Sequence, residues 1–333
     1  MRDAMTDPTT DAAPAPDRPL VTFALFAYNQ EQYIREAVEG AFAQTYEPLE
    51  IILSDDCSSD RTYQIMQEMA AAYEGPHEVR VRQNDVNFGL AGHINKMIAS
   101  AAGSIVSWAA GDDIAQPDRT EILIAKLQED EKNVGVHSDV EEIDQAGQHL
   151  KIRRHQIERM EISLRNVTRH GLSVVTQSHA FRKQVFEHFG PLSDNVTNEG
   201  IVMAFREASL GKIVFVEQPL TKYRVGSGVS TYSGADPMRR KVSEPIKITG
   251  WYLSAFQQMY KDATKLSPPL AFNYQREIER NIQFYSSLME INTGAAFLRP
   301  LYKNFLAAPR DKRSLRAVIR RSLPASFYRL LST

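Results

Sequence analysis

The chain has 333 residues, 43% hydrophobic and 24% charged, an ordinary globular composition with room for one large domain or two small ones. A formal net charge of −2 supplies no global field for a polyanion, so no nucleic-acid partner is expected. The single cysteine, Cys57, excludes an intramolecular disulfide and a cysteine zinc site and fits a reducing compartment.

Residues 1–19, "MRDAMTDPTTDAAPAPDRP", have no apolar core of the signal-peptide kind and read as a disordered leader. Apolar runs such as "VTFALFAY" fall far short of the roughly 20 residues that a spanning helix needs. A cytoplasmic protein is expected. "LVTFALFA" (20–27) suits a strand buried on both faces. In the next segment Tyr33, Ile34, Ala37, Val38, Ala41 and Phe42 recur at helical spacing, with Asn29 as the expected N-cap. "EPLEIILSDD" is a second buried strand, and "CSSDRTYQIMQEMAAAYEG" a second helix closed by glycine. "EVRVRQN", "GLAGHINKMIASAAG", "SIVSWAAGDD" and "QPDRTEILIAKLQED" continue as strand, helix, strand and helix, the last with Pro117 near its first turn.

Four strand–helix alternations within about 110 residues predict an α/β domain with a mostly parallel sheet and helices on both faces. Residues 134–182 read as mixed strands with a short helix. "NEGIVMAFREASLGKIVFVEQPLTKYRV" reads as helix, glycine, strand, proline and strand, and from about 235 the chain reads as helix.

Ligands of such sheets bind beyond the carboxyl ends of the strands. Tyr28 and Asn29, Asp55 and Asp56, Asn87, then Asp112 and Asp113 all fall there. No G-x-G-x-x-G follows the first strand and no P-loop is present, which disfavours a dinucleotide oxidoreductase or P-loop enzyme. Carboxylates repel phosphates unless a divalent cation intervenes. Mg²⁺ or Mn²⁺ takes one or two carboxylates together with diphosphate oxygens and stabilises a diphosphate leaving group. Tyr28 can stack on a base, and Asp56 can accept from a base imide.

The order of these pieces resembles the inverting family 2 glycosyltransferases of bacterial surface-polysaccharide type. Tyr28, Asn29, Gln44, Thr45, Tyr46, Glu50, Asp55, Asp56, Ser58, Asp60 and Thr62 match the start of that pattern. Asn87, Gly89 and Asn95 in "NDVNFGLAGHIN", then "GDDIAQPDR" and "EGIVMAFREASLGKIVFVEQPLTKYRV", match its later parts. The resemblance covers about residues 20–230. It implies a GT-A nucleotide-sugar-binding domain over 20–232 and a helical region with a basic amphipathic tail over 233–333.

By that resemblance the donor nucleotide is held by Ala27, Tyr28, Asn29, Glu31, Asp56, Asn87, Gly89, Asn95 and Asp112. The cofactor, Mn²⁺ or Mg²⁺, falls to Asp112 and Asp113. Glu199 is the implied general base, and His179, Tyr223 and Arg224 face the acceptor. The implied substrates are a nucleoside-diphosphate sugar, UDP-linked, and a glycan or lipid-linked glycan. Three positions depart from the family pattern: Ala110 replaces the first Asp of Asp-x-Asp, Gly200 the Asp of a Glu-Asp pair, and Gly226 the His of Tyr-Arg-x-His.

Each residue also has a plainer reading. Asp112–Asp113 can be a turn ahead of Pro117, Asp55–Asp56 a helix cap, Tyr28 a core ring, Glu199 a helix N-terminal charge and His179 a structural group. A nucleotidyltransferase, or a silent relative serving as a binding or scaffold subunit, remains an alternative. From Ala295 to Thr333 nine Lys or Arg face one acid. Residues 310–333 therefore read as a basic amphipathic segment that either lies on an anionic membrane at the inner face or packs on the domain.

Overall fold

The computed structural model describes residues 18–153, 162–227 and 237–292. The basic segment 310–333 and most of the leader lie outside the described residues. Strand and helix alternate as the sequence predicts. The elements are β1 (Val21–Ala27), α1 (Ile34–Phe42), β2 (Leu49–Asp55), α2 (Thr62–Ala71), β3 (Glu78–Gln83), α3 (Gly89–Ser100) and β4 (Ile105–Ala110). A short β5 (Ile114–Ala115) and α4 (Arg119–Gln128) follow. Strands β3, β2, β1 and β4 are neighbours in that order and parallel.

The rest of the sheet is mixed. It comprises β6 (Asn133–Ile143), β7 (His149–Arg153), β8 (His179–Arg182) and β9 (Lys212–Arg224). β8 is antiparallel to β4 and β6, β6 is parallel to β9, and β5 closes the path antiparallel to β9. The remaining helices are α5 (Leu164–His170), α6 (Lys183–Phe189), α7 (Glu199–Leu210), α8 (Pro237–Ala263) and α9 (Phe272–Asn292). Where the sequence predicts two strands around Pro219, β9 is one strand whose register against β6 shifts at that proline. The missing proline N–H is accommodated at an irregularity in the ladder.

Strand alternation divides the core in two. Phe23, Leu25, Ile51 and Leu53 point to one face, where Ile34 and Val38 of α1, Met66 of α2 and Leu123 and Leu127 of α4 cover them. Ala24, Ile52, Val106 and Trp108 point to the other, against Ile94 and Met97 of α3 and Val202 and Phe205 of α7. Phe256 of α8 and Tyr285 of α9 join this second cluster. Each fully buried Leu, Ile or Phe contributes about 1.5–3 kcal/mol, so two filled faces fix the register of the central strands.

Glu50, buried on β2, shows how polar groups are tolerated at the amino end of the sheet. Burial alone would raise its pKa. Thr22, the amides of Ala102 and Gly103, and Arg80 all donate to its carboxylate and hold the value below the usual glutamate range.

Helix α8 is tied to α7 by an ion pair with no solvent exposure. Arg206 donates from Nε to Asp262 Oδ2 at 2.7 Å and from Nη1 to the Gly190 carbonyl at 2.9 Å. Gln258 adds a bond to Asp262 Oδ1 at 2.9 Å. Arg206→Met leaves a buried carboxylate without its cation and is expected to cost about 3–5 kcal/mol in denaturant unfolding. The double variant Arg206→Met/Asp262→Leu should recover most of that loss; failure to recover would mean the pair does more than neutralise itself.

Candidate functional site

The chain leaves β1, β2 and β4 at one rim. Pairing is level, with Ala27 opposite Asp55 and Phe26 opposite Ala110. The loops after β1 and β2 are bonded to each other. Asn29 N–H donates to Ser58 Oγ at 2.8 Å, and Asn29 Oδ1 accepts from Ser59 N–H at 2.8 Å. Glu31 N–H donates to Asp60 Oδ2 and Arg61 N–H to Glu31 Oε2, both at 3.0 Å. Asn29 is therefore not the cap of α1: it has φ 51°, and the helix begins at Ile34 after an uncapped Tyr33. Its side chain closes the neighbouring loop instead.

Tyr28 is 41% exposed, which rules out the core-ring reading. The carbonyl of Ala27 accepts from Asp56 N–H at 3.0 Å. Asp55 is internal to its turn and accepts from Ser58 and Gln83. Asp56 is buried and accepts on Oδ1 from Asn84 at 2.6 Å and from Phe88 N–H at 3.0 Å. Asn87 Oδ1 takes the N–H of Gly89, whose φ is 68°, and so starts α3. Asn95 uses both ends of its amide on the Leu192 backbone, at 2.8 Å each, and so fixes the loop before α7.

Asp112 and Asp113 are both buried where β4 ends. Burial raises the Asp112 carboxyl, and hydrogen bonds from Ser227 and Gln30 only partly offset it. Ser227 Oγ donates to Asp112 Oδ2 at 2.8 Å. Asp113 is pushed well above the carboxylate range by burial and then by the charge of Asp112. Its Oδ1 accepts from Arg224 N–H at 2.9 Å, and its Oδ2 has no partner among the described residues. Arg224 is buried and donates to the carbonyls of Asp112, Asp144 and Gln145 at 3.0–3.1 Å and to Glu36 Oε2 at 2.7 Å. It stacks on Tyr33, 4.7 Å from the ring centroid. The side chain named from sequence as an acceptor contact is thus a strut of the rim. Tyr223 is half-buried beneath the Arg153 guanidinium.

Two adjacent buried carboxylates with one oxygen unpartnered suit a hard divalent cation that keeps further positions for water and phosphate oxygens. No group of three His, Cys, Asp or Glu side chains placed to hold a metal ion occurs among the described residues. The protein part of such a site would be Asp112, backed by Asp113.

The antiparallel pairing of Trp108 with His179 brings the 3₁₀ turn Thr176–Ser178 beside the carboxyl end of β4. Glu199, the first residue of α7, bonds to the Thr176 side chain there. The carboxyl of Glu199 is half-buried, and burial raises its pKa despite that bond. Asn198 caps the helix by accepting from Ile201 N–H at 3.4 Å. His179 lies wholly inside, packed against the contacting rings of Trp108 and Phe181, where an acceptor at the rim does not reach it. Its Nε2 is 2.9 Å from Glu207 Oε1, out of line for a hydrogen bond. Burial drives both to their neutral forms, His179 down to about 3 and Glu207 well up.

Gln30, Asn84, Thr176 and Ser227 were not singled out from the sequence. Each acts on a carboxylate distant in the chain, so no local spacing announced it.

A model of the family described as Glycosyl transferase family 2 matches residues 22–190. The chain belongs to glycosyltransferase family 2. It is 32% identical over 173 residues to an uncharacterised glycosyltransferase of Rickettsia typhi, covering 50% of this chain and 52% of that one. It is 34% identical over 110 residues to the putative glycosyltransferase EpsE of Bacillus subtilis, covering 33% and 39%. The chain thus spans about half or less of these relatives' length. Among solved structures, Staphylococcus aureus TarS 1–349 in complex with UDP-GlcNAc superposes with a TM-score of 0.56 at 14% identity, over 91% of this chain and 81% of that one. The mannosyltransferase PcManGT of Pyrobaculum calidifontis, in complex with GDP-Man and Mn²⁺, gives 0.59 at 17%, over 97% and 90%. These likenesses show the fold, which is the GT-A glycosyltransferase fold.

Within this family 2 chain, Gly200 departs from the pattern for a packing reason. A Cβ there would stand 2.3 Å from Ser173 Oγ, 2.8 Å from Thr176 Cγ2 and 3.1 Å from the Val174 carbonyl. Restoring the family residue with Gly200→Asp is expected to lower stability by about 1–3 kcal/mol, the usual scale of overpacking, and to leave any transferase activity no higher. A stable, more active Gly200→Asp enzyme would show that the turn holding Glu199 can move aside.

Proposed function

We propose that this chain is a metal-dependent inverting glycosyltransferase that moves one sugar from a uridine diphosphate donor to a hydroxyl of a glycan or lipid-linked glycan. What supports this reading is that exposed Tyr28, buried Asp56 and the Asp112–Asp113 pair follow the level ends of β1, β2 and β4, and that Glu199 is bonded to Thr176 in the turn beside β4. Tyr28 stacks on the base and Asp56 accepts its N–H. Asp112, with Asp113 behind it, holds Mn²⁺ or Mg²⁺, which when bound offsets charge on the diphosphate.

Glu199 takes the proton of the acceptor hydroxyl as that oxygen bonds to the anomeric carbon. The bond from that carbon to the diphosphate oxygen breaks, and its electron pair leaves with the nucleoside diphosphate. Attack from the face opposite the leaving group inverts configuration. No helix among the described residues is long and apolar enough to cross a membrane. A lipid-linked acceptor would then be met at the inner face of the cell membrane, with residues 310–333 as the proposed contact, in the assembly of a surface polysaccharide.

Release of nucleoside diphosphate from a panel of nucleotide sugars, with and without Mn²⁺, tests the reading. Metal-dependent release from a UDP-sugar that disappears in Asp112→Ala is expected. Tight donor binding with no release in any condition would identify a silent binding protein instead.

Glu199→Gln should keep donor affinity and lose at least about 10²-fold in transfer, the scale of a missing general base. A base must be ionised to act, so its raised pKa predicts that kcat/KM falls with falling pH from above the usual glutamate range. That acid limb should be absent from the residual activity of Glu199→Gln; an unchanged limb would assign it to another group.

A further inference from the structure

We propose that Arg82 and Asn84 are positioning residues that set the base preference of the rim by offering the base a single oxygen of Asp56. The inference rests on the reading of Asp56 as the base contact. Arg82, near the end of β3 and half-buried, donates from Nη1 to Ser54 Oγ and from Nη2 to Asn84 Oδ1. A guanidinium has donors only, so it accepts no other orientation of the Asn84 amide. The carbonyl of Asn84 must face Arg82, and its NH₂ must face Asp56 Oδ1, 2.6 Å away.

Phe88 N–H reaches the same oxygen at 3.0 Å. A carboxylate oxygen has two lone-pair directions, so Oδ1 is filled, while Oδ2 takes no hydrogen bond among the described residues. Behind Arg82 the chain of bonds continues. Ser54 accepts from Arg82, and the Ser54 hydroxyl in turn is hydrogen-bonded to His93 Nε2 at 2.6 Å. His93 is buried, edge-on to Phe26, and burial holds its pKa down to about 4, so the ring stays neutral. Arg82 therefore sits in a rigid cradle, with the charge of Asp56 attracting it.

One free carboxylate oxygen is a selective acceptor. Uracil presents one imide N–H between two carbonyls, which a single oxygen satisfies. Guanine presents a ring N–H beside an amino group, and its best partner is a carboxylate with both oxygens free. Cytosine and adenine present a ring nitrogen acceptor there, which a carboxylate repels. The network thus favours uridine over guanosine diphosphates. It does so through residues that need not touch the nucleotide, because each unmet N–H of the wrong base is left without a partner.

Calorimetric titration of UDP and of GDP, with Mn²⁺, into the full chain tests this. The chain with its own residues should prefer UDP by about tenfold or more, the scale of one hydrogen bond to a charged group. Asn84→Ala and Arg82→Gln, whose amide can accept as well as donate and so permits either orientation of Asn84, should reduce that UDP-to-GDP ratio by about the same factor, whereas Arg82→Lys, which like arginine offers Asn84 Oδ1 donors only, should retain most of it. If Asn84→Ala does not fold, the comparison of Arg82→Lys with Arg82→Gln carries the same test. An unchanged ratio in Arg82→Gln and Asn84→Ala, with UDP binding lost in Asp56→Asn, would overturn the network while leaving the base contact intact. Unaltered UDP binding in Asp56→Asn would overturn the base contact and the proposal together, as would a preference for GDP in the unaltered chain.

Discussion

The level parallel pairing of β2, β1 and β4 is the constraint on which the site depends. Neighbouring strands lie about 4.8 Å apart, so three strands that end together deliver the residues after them into a patch the size of a nucleotide. That ending is fixed from below. Phe23 and Leu25 must face α1 and α4 while Ala24 faces α3. A one-residue slip of any strand would turn its apolar side chains to the wrong face and move its terminal carboxylate out of the patch. The placement of Tyr28, Asp56 and Asp112 is thus a consequence of core packing about 10 Å or more below the rim, three to five residues back along each strand.

Holding two carboxyls side by side out of water opposes folding, and the structure answers with fixed donors rather than with a charge for each acid. Arg224 is the main one. Its guanidinium reaches three carbonyls and Glu36, while its own amide reaches Asp113. It therefore joins the end of β9 to the end of β4, the β6–β7 turn and α1. Its side chain is occupied by carbonyls and a distant carboxylate, and its charge, with that of buried Arg119 at Asp113, only partly offsets burial, so both acids remain raised. Buried polarity left partly unsatisfied is what a binding rim needs and what a core avoids.

The alternation of elements was legible because it is periodic. Val21–Ala27 and Leu49–Asp55 are apolar runs of strand length, and the helices carry their apolar residues at 3.6-residue spacing. The jobs of the rim's polar side chains were less legible, because their partners are remote. Asn29 looks like a helix cap when only the following residues are considered, yet it serves Ser59 thirty positions on. Asn95 looks like a ligand in a loop motif, yet it clamps Leu192. A lone histidine carries no periodic signal, so His179 could not be told from a surface group until β8 proved to lie between β4 and β6. Its neighbour Glu207 arrives from α7, a pairing that only the three-dimensional fold creates.

The departures from the family pattern are structural accommodations as well as losses. Gly200 leaves no room for a side chain, and that closeness is what lets the first turn of α7 settle on residues 173–176 and brings Glu199 to Thr176. Gly226 has φ 97°, a left-handed conformation that a histidine there would adopt only with strain. The turn it permits brings the next residue back, so that the Ser227 hydroxyl donates to Asp112 Oδ2 at 2.8 Å, with the Arg224 carbonyl 3.1 Å away as the alternative acceptor for the same proton. Where the family pattern puts an imidazole, this chain puts a hydroxyl at the acidic pair. A hydroxyl is a hard oxygen group that can donate to a carboxylate or accept from water. On the proposed reading the donor set at the acidic pair would be oxygen alone, which suits Mg²⁺ or Mn²⁺ better than a softer ion such as Zn²⁺.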